Sequence, residues 1–379
     1  MKRRTKLAVS LTTFLSVTGA SFCGHALQLK GEVGYDSNPF EQASPIDGDS
    51  YSAWQLCHRG EHYFSKSQRL QYSASLEGRE YDSLEDADQY RMDARVRWVN
   101  RFRIGDKSAN LMVTGDLRSE RQTYFSVSQN QVAETSNGDS LAERFDYDSA
   151  KLSMEMVYRF TRRASVSLYS YAAHRNYLED YQSLGLESLD YNEYNLQPTF
   201  RYKSERGVYV RLFVYHKQRH YDELMNDAMN GRNMDSVLQY NFNGVGALLN
   251  YPIDRRWNLN IYLHGYNARD NGEGYRDLDY RKGQVKLSYT TAQSSHWALE
   301  SECYSRDYLE ESYRPPESQT GDTGRLRQGC AYSIEFEQPL WLFDGTTWSA
   351  KATHHRERNS DDAFDFERET ISLGATYVF

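Results

Sequence analysis

From Leu27 onward, apolar side chains recur at every second position in segments of roughly 8 to 14 residues, the period of a strand with one apolar face. Leu27, Leu29, Val33 and Tyr35 make the first stripe. Leu70, Tyr72, Ala74 and Leu76 make the third, and Tyr90, Met92, Ala94, Val96 and Trp98 the fourth. The second, carried by Trp54 and Leu56, is the least regular because His58 and His62 share its parity. In the tenth, the predicted apolar face is Leu238, Tyr240, Phe242 and Leu248. The last is Ile371, Leu373, Ala375, Tyr377 and Phe379, with Ser372, Gly374 and Thr376 between. Sixteen stripes are legible in all, an even number.

The links between stripes alternate in length. SKSQ, RIGDKS, TRRA, KSERG, PIDRR, TAQSSH and EQPLWLFDGT are short. Residues 38–50, 122–145, 178–190, 220–235, 306–324 and 357–366 form long polar links, and 82–88 is a short link on the long side. Aromatic residues gather beside the short links, at Phe64, Trp98, Phe160, Tyr202, Trp257, Tyr289, Trp297, Phe336 and Trp348. A soluble antiparallel sandwich also alternates apolar and polar positions. Here, however, the second face of each strand is charged rather than merely polar. That pattern, with short turns on one rim and long loops on the other, predicts an all-β, antiparallel up-and-down transmembrane barrel of about sixteen strands. A strand in hydrocarbon must pair all its backbone groups, which forces closure.

Composition alone points elsewhere. Hydrophobic residues make up 39% of the 379 and charged residues 26%, mean hydropathy is −0.82, and no stretch past the N-terminus approaches the roughly 20 apolar residues of a spanning helix. The aromatic content restores the strand reading: 31 Tyr, 16 Phe and 6 Trp stand against only 7 Pro. At the N-terminus, MKRRTK followed by LAVSLTTFLSVTGA and Gly24-His25-Ala26 has the layout of a signal peptide, so residues 1–26 are expected to be removed and 27–379 to form one barrel domain. Phe22 before Cys23 is too bulky for a lipidation site, and the apolar run is too short for an anchor. Removal of 1–26 leaves 41 basic side chains against 53 acidic, a net −12 that argues against nucleic acid as partner. No Cys or His spacing suits zinc, and nothing calls for a cofactor.

ISLGATYVF closely resembles the C-terminal signal of Gram-negative outer-membrane β-barrels, in which a final Phe and alternating apolar residues are recognised by the barrel-assembly machinery. The resemblance implies an outer-membrane location, lipid and lipopolysaccharide as surroundings, and an assembly role for Ile371, Leu373, Ala375, Tyr377 and Phe379. GEVGYDSNPF is similar to the first strand of β-barrel porins of exopolysaccharide-export and secretion loci.

If the apolar parity faces lipid, the other parity faces the lumen. That register places about sixteen basic residues inside against nine acidic ones, Glu61, Glu77, Asp93, Asp116, Glu155, Glu193, Glu300, Glu302 and Glu335, while the loops hold the remaining acidity. Arg91, Arg95, Arg97, Arg118, Arg201 and Arg211 form the candidate basic ladder. Guanidinium forks along a wall can pass carboxylates or phosphates, or they can cross-link strands as ion pairs. Tyr169, Tyr171, Tyr209, Tyr215, Tyr262 and Tyr266, with Tyr63 and Tyr304, are candidate platforms for sugar rings, though Tyr is abundant throughout. The acidic loops suit either plain solvation or divalent cations bridging lipopolysaccharide phosphates. Cys303 and Cys330 share parity on neighbouring strands and are expected to be two isolated residues rather than a disulfide.

No enzyme is expected. None of the ten His has a Ser two residues on, as the outer-membrane phospholipases require, and His354 and His355 point to opposite faces of a strand. The expected function is a porin-like channel for anionic or sugar solutes, which includes a stand-alone export pore for an acidic exopolysaccharide. A secretion or assembly accessory for surface proteins, or a barrel plugged by its own loops with 122–145 as constriction, are the alternatives.

Overall fold

The computed structural model describes residues 25–41, 48–84, 87–123, 125–126, 131–132, 143–178, 187–227, 233–272, 274, 276–309, 325–340, 345–360 and 365–379. Its first nine strands are β1 (His25–Asp36), β2 (Asp49–Tyr63), β3 (Gln68–Tyr81), β4 (Gln89–Ile104), β5 (Lys107–Gln122), β6 (Phe125–Ser126), β7 (Gln131–Val132), β8 (Tyr147–Arg159) and β9 (Ala164–Tyr177). Nine more follow: β10 (Tyr191–Lys203), β11 (Tyr209–Asp227), β12 (Asn233–Pro252), β13 (Trp257–Asp270), β14 (Leu278–Thr290), β15 (His296–Tyr308), β16 (Arg325–Pro339), β17 (Thr346–Asn359) and β18 (Phe366–Val378). Sixteen of them close into one antiparallel barrel in sequence order, and β6 and β7 pair only with each other.

Closure is made by β1 and β18, whose register runs from Gln28 opposite Val378 to Asp36 opposite Thr370. The Phe379 N–H donates to the Leu27 carbonyl at 2.8 Å at one end of this seam. At the other, the Arg368 guanidinium grips the fully buried Asp36 carboxylate at 2.6 Å, and the Tyr81 hydroxyl donates to the same carboxylate at 3.0 Å. No edge strand is left open in the barrel.

The two faces differ as the alternation predicts. Leu117 and Leu152 are 58% and 63% exposed on the outside, whereas Val99 and Val157, of the opposite parity, are 5% and 8% exposed. Val33, Val96, Leu168, Leu196, Leu299, Ile334, Ile371 and Leu373 continue the outer belt around the wall. A belt of bare aliphatic surface over most of the wall is stable only against acyl chains, so this is the architecture of a membrane-spanning barrel. Beside the short turns the expected aromatic band forms: Trp297 lies 4.3 Å from Phe336, Phe336 4.8 Å from Trp348, and Trp257 4.6 Å from Tyr289, between ring centroids. The short turns are locally capped. In 253–256, the N–H groups of Arg256 and Trp257 donate to Asp254 at 2.7 and 2.8 Å and hold its carboxyl below the usual range.

Three expectations fail. The apolar face of β12 is not Leu238, Tyr240, Phe242 and Leu248: Phe242 is 8% exposed and points inward opposite Lys217, while Val245 is 59% exposed on the lipid side. A one-residue shift of parity turns over every side chain of a strand, and β12 carries apolar residues on both parities. Gly244 and Gly246 occupy the inward positions because a Cβ there would run into the rings of Tyr215 and Phe213. Secondly, 220–235 is mostly not a loop, since β11 runs to Asp227 and β12 resumes at Asn233, with register shifts after His220. Thirdly, Cys303 and Cys330 are bonded. They sit directly opposite one another on β15 and β16 with Cα atoms 4.1 Å apart, the narrow type of antiparallel pair, which brings the sulfurs within bonding reach. Most of the expected constriction, 122–145, and nearly all of the expected signal peptide lie outside the described residues, and β1 begins at His25, two residues before the expected mature start.

The lipid-facing reading of β18 is open to direct test. Leu373→Arg should destabilise the refolded barrel in lipid by about 2–4 kcal/mol, and Thr376→Arg, inward and opposite Lys30, by much less, as read from urea unfolding in vesicles.

Candidate functional site in the barrel interior

The inward positions of β2 to β5 and β8 to β11 carry most of the candidate ladder. Arg91, Arg95 and Arg97 project from β4 with Asp93 between them, and β5 sets Thr114, Asp116 and Arg118 opposite. Arg91 Nε lies 2.6 Å from Asp93 and 2.9 Å from Glu77, Arg118 lies 2.7 Å from Asp93, and Arg95 lies 2.5 Å from Asp116. Arg201 bonds Glu155 at 2.6 Å and Ser167 at 2.8 Å. Among the described residues Arg97 donates only to the Thr114 hydroxyl, at 3.2 Å. Arg211 lies over the Phe213 ring at 4.9 Å, and its Nε is buried without a hydrogen-bond partner. Four of the six ladder arginines are therefore cross-strand ties, and two have no carboxylate in reach among the described residues.

The pairing is lopsided. All nine inward carboxylates expected from the sequence lie within 4 Å of a cation: Glu61 with Arg69, Glu77 and Asp93 with Arg91, Asp116 with Arg95, Glu155 with Arg201, Glu193 with Lys217 and Arg219, Glu302 with Lys282, and both Glu300 and Glu335 with Lys286. Among the described residues Arg59, Arg79, Arg97, Arg175, Arg211, Arg306 and Lys351 face inward with no carboxylate partner. Against one wall, a recess of about 470 Å³ is lined by Arg59, Arg91, Arg95, Arg118, Lys151 and Arg175 with only Asp93, Asp116 and Glu193 for balance.

The candidate tyrosines divide into groups. Tyr215, Tyr262 and Tyr266 meet around His264, 5.7, 6.0 and 5.7 Å from its ring. Tyr280 extends the group, 4.8 Å from Tyr266 and 6.4 Å from Tyr304, so an aromatic arc runs along the wall from β11 through β13 and β14 to β15. Tyr169 and Tyr171 form a separate pair 5.9 Å apart, and the Tyr171 hydroxyl donates to Glu193. Tyr209 stands at the short-turn end of β11 with no ring partner among the described residues. His264 and Tyr280 were not anticipated, although Tyr262-Leu263-His264-Gly265-Tyr266 shows the period-two place of His264 plainly.

A third set was also missed. Where strands reach the long-loop rim, the motif Arg-x-Tyr recurs as Arg79-Glu80-Tyr81, Arg175-Asn176-Tyr177, Arg219-His220-Tyr221 and Arg306-Asp307-Tyr308. In the first three, the Tyr faces another across the hairpin: Tyr51 with Tyr81 at 5.7 Å, Tyr147 with Tyr177 at 5.9 Å, and Tyr191 with Tyr221 at 5.5 Å. The guanidinium lies over the partner ring at 4.4, 3.9 and 4.2 Å respectively. The returning strand is led by an Asp that caps the hairpin; Asp190 accepts the Tyr177 N–H at 2.6 Å, and Asp88 accepts that of Tyr81 at 2.9 Å. The repeat is short and interrupted by dissimilar strands, so period-two counting passes over it.

On the outer wall, Ile371, Leu373, Tyr377 and Phe379 are exposed, Ala375 lies opposite Trp348, and the Tyr377 and Phe379 rings meet at 4.3 Å. His354 and His355 do face opposite sides: His354 is 3.4 Å from Glu369 outside, and His355 packs on Phe366 inside. Among the described residues no three His, Cys, Asp or Glu side chains converge as a metal site.

No protein-family model matches the chain, and no curated protein matches it. Among solved structures it is similar to OccAB4 of Acinetobacter baumannii, at 10% identity over 95% of this chain and 99% of that one with a TM-score of 0.46. It is also similar to the outer membrane protein opdK of Pseudomonas aeruginosa, at 10% identity over 95% and 100% with a TM-score of 0.47. A bacterial polysaccharide outer membrane secretin matches at 10% identity over 95% and 100%, with a TM-score of 0.45. At that level the likeness is one of barrel architecture.

Glu193 is the keystone of the interior network, 3.0 Å from Lys217 and 2.8 Å from Arg219, with Tyr171 donating to it. Glu193→Gln should cost about 3–5 kcal/mol in urea unfolding, because two enclosed cations lose their counter-charge. Exchange at a pair open to solvent, such as Glu367→Gln beside Arg356, should cost under about 1 kcal/mol.

Proposed function

We propose that the chain is an outer-membrane channel of Gram-negative bacteria whose lumen favours anionic solutes, with both strand termini and the short turns on the periplasmic side and the long loops outside. One observation carries the reading: among the described residues each of the nine expected inward carboxylates has a cation within 4 Å, while seven inward arginines and lysines have no carboxylate, against two further inward acids, Glu120 and Glu337, that have no cation. Fixed cations that are already neutralised stiffen the wall; unmatched ones set a positive potential along it. Sixteen strands leave room for an aqueous path.

Sugars fit the same lumen. The arc from Tyr215 to Tyr304 offers successive ring faces on one wall, which suits a solute that is both carbohydrate and acidic. An export pore for an acidic exopolysaccharide is the most specific form of this reading, and it agrees with the opening GEVGYDSNPF. The C-terminal stripe is the segment for the assembly machinery, and residues 1–26 the export signal. No enzymatic step is assigned to the barrel.

Planar-bilayer recording of the purified protein tests the proposal. Chloride should permeate better than potassium, and the triple variant Arg59→Gln, Arg97→Gln, Arg211→Gln should bring the permeability ratio close to one while leaving the channel open. Cation preference in the unaltered protein, or absence of conductance, would refute it in favour of an accessory or plugged barrel.

A further inference from the structure

We propose that the short-turn rim of the barrel is a binding surface for anionic phospholipid headgroups, such as phosphatidylglycerol, and that it gathers them along one flank of the wall. The inference goes beyond the channel reading: it needs the membrane-spanning barrel but neither conductance nor a charged solute.

Charge along this rim is unlike that of the chain as a whole. The five short links from β2 to β13, SKSQ, RIGDKS, TRRA, KSERG and PIDRR, hold nine Lys and Arg against three acids, in a protein of net −8. The last two, TAQSSH and EQPLWLFDGT, hold no Lys or Arg. The basic turns therefore follow one another without a break around part of the rim and stop after β13. Two of the three acids are engaged, Asp106 with Lys107 at 2.6 Å and Glu205 with Arg163, and Asp254 accepts two N–H groups of its own turn. Lys66, Arg103, Arg162, Arg206, Arg255 and Arg256 are exposed and have no carboxylate within 4 Å among the described residues.

The turns present these cations on a fixed frame. Ser65 Oγ accepts the N–H of Ser67 at 3.2 Å, Thr161 Oγ1 those of Arg163 and Ala164 at 3.1 and 2.8 Å, and Ser204 Oγ that of Val208 at 3.1 Å. Neighbouring hairpins are tied through the backbone as well: the Arg101 N–H donates to the Ser67 carbonyl and the Lys203 N–H to the Arg163 carbonyl, both at 2.8 Å.

The occupant follows from what stands beside the cations. Phe64, Ile104, Phe160 and Ile253 are exposed at the strand ends, each two or three residues before a Lys or Arg of its turn, and each keeps the outward parity of its strand. An anionic solute bound for the lumen needs no apolar residue on the outer side, and an acidic soluble partner would leave these four side chains against water. An apolar group on the lipid side with a cation just beyond it is the layout of an interfacial segment, the first among acyl chains and the second at the phosphates. Trp257, next to Arg256, belongs to the aromatic band, which sets the level of these cations at the headgroups. Guanidinium forks take phosphate oxygens in pairs, and a row of cations favours a lipid whose charge no ammonium group offsets. Because the row stops after β13, the lipids it holds form a one-sided collar that the apolar belt alone would not create.

Electron spin resonance of spin-labelled lipids tests the inference on the full-length protein refolded in phosphatidylcholine vesicles. Spin-labelled phosphatidylglycerol should associate with the barrel about three-fold more strongly than spin-labelled phosphatidylcholine, and about 0.5 M NaCl should bring that ratio close to one. The variant Arg162→Gln, Arg255→Gln, Arg256→Gln should lower the ratio about two-fold, whereas Arg59→Gln, Arg97→Gln, Arg211→Gln, which takes the same charge from the lumen, should leave it unchanged. The salt measurement uses the unaltered protein and so decides even if the turn variant does not fold. A ratio near one in the unaltered protein, a preference unmoved by salt, or equal loss in the two variants would overturn the inference. Loss of the preference in about 20 mM inorganic phosphate, but not in chloride of equal ionic strength, would overturn it in favour of a free-anion site.

Discussion

Everything in this molecule follows from the need to pair each backbone N–H and C=O in a medium with no water to offer. An isolated strand or an open sheet cannot meet that need in hydrocarbon; a closed sheet can. The seam between β1 and β18 is therefore the decisive interaction. It joins the two ends of the sheet through nine facing positions and is anchored inside by Arg368 on the buried Asp36. Once the sheet is closed, parity assigns each side chain to lipid or to lumen with no third choice, and all the chemistry must be inside.

Inside, charge serves two ends that the pairing separates. Arg91, Arg95, Arg118 and Arg201 hold carboxylates on neighbouring strands and keep the wall rigid. The unmatched cations leave a strongly acidic chain with a positive interior. Aromatic residues follow a similar division. Those by the short turns mark the membrane interface, whereas the Tyr215–His264–Tyr280 arc lies along the lumen, where Gly244 and Gly246 make room for its rings.

Much of this was legible in the residues, because strand parity is dictated by the solvent on each side. Sixteen strands, the alternation of short and long connections, and the lumen position of every ladder arginine all follow from period-two counting. The failures have physical causes. Tyr240 and Phe242 are apolar yet belong inside, Tyr240 opposite Arg219 and Phe242 under Lys217 and Arg219, so hydrophobicity misassigned the face of β12. The strands β11 and β12 extend past the apolar belt, where no apolar face remains to betray them. The Cys303–Cys330 bond depends on an exact cross-strand register that spacing gives only approximately. The Arg-x-Tyr units depend on which hairpin each strand joins, and that becomes visible only with the pairing in hand.

Collision accessibility of spin labels along β18 tests the central claim most directly. Single cysteines at 371 to 377, in a protein freed of Cys57, Cys303 and Cys330, carry the label in lipid vesicles. Labels at 371, 373, 375 and 377 should meet dissolved oxygen, and those at 372, 374 and 376 a water-borne nickel chelate, in strict alternation. The opposite phase, or protection from both reagents at every position, would contradict the account.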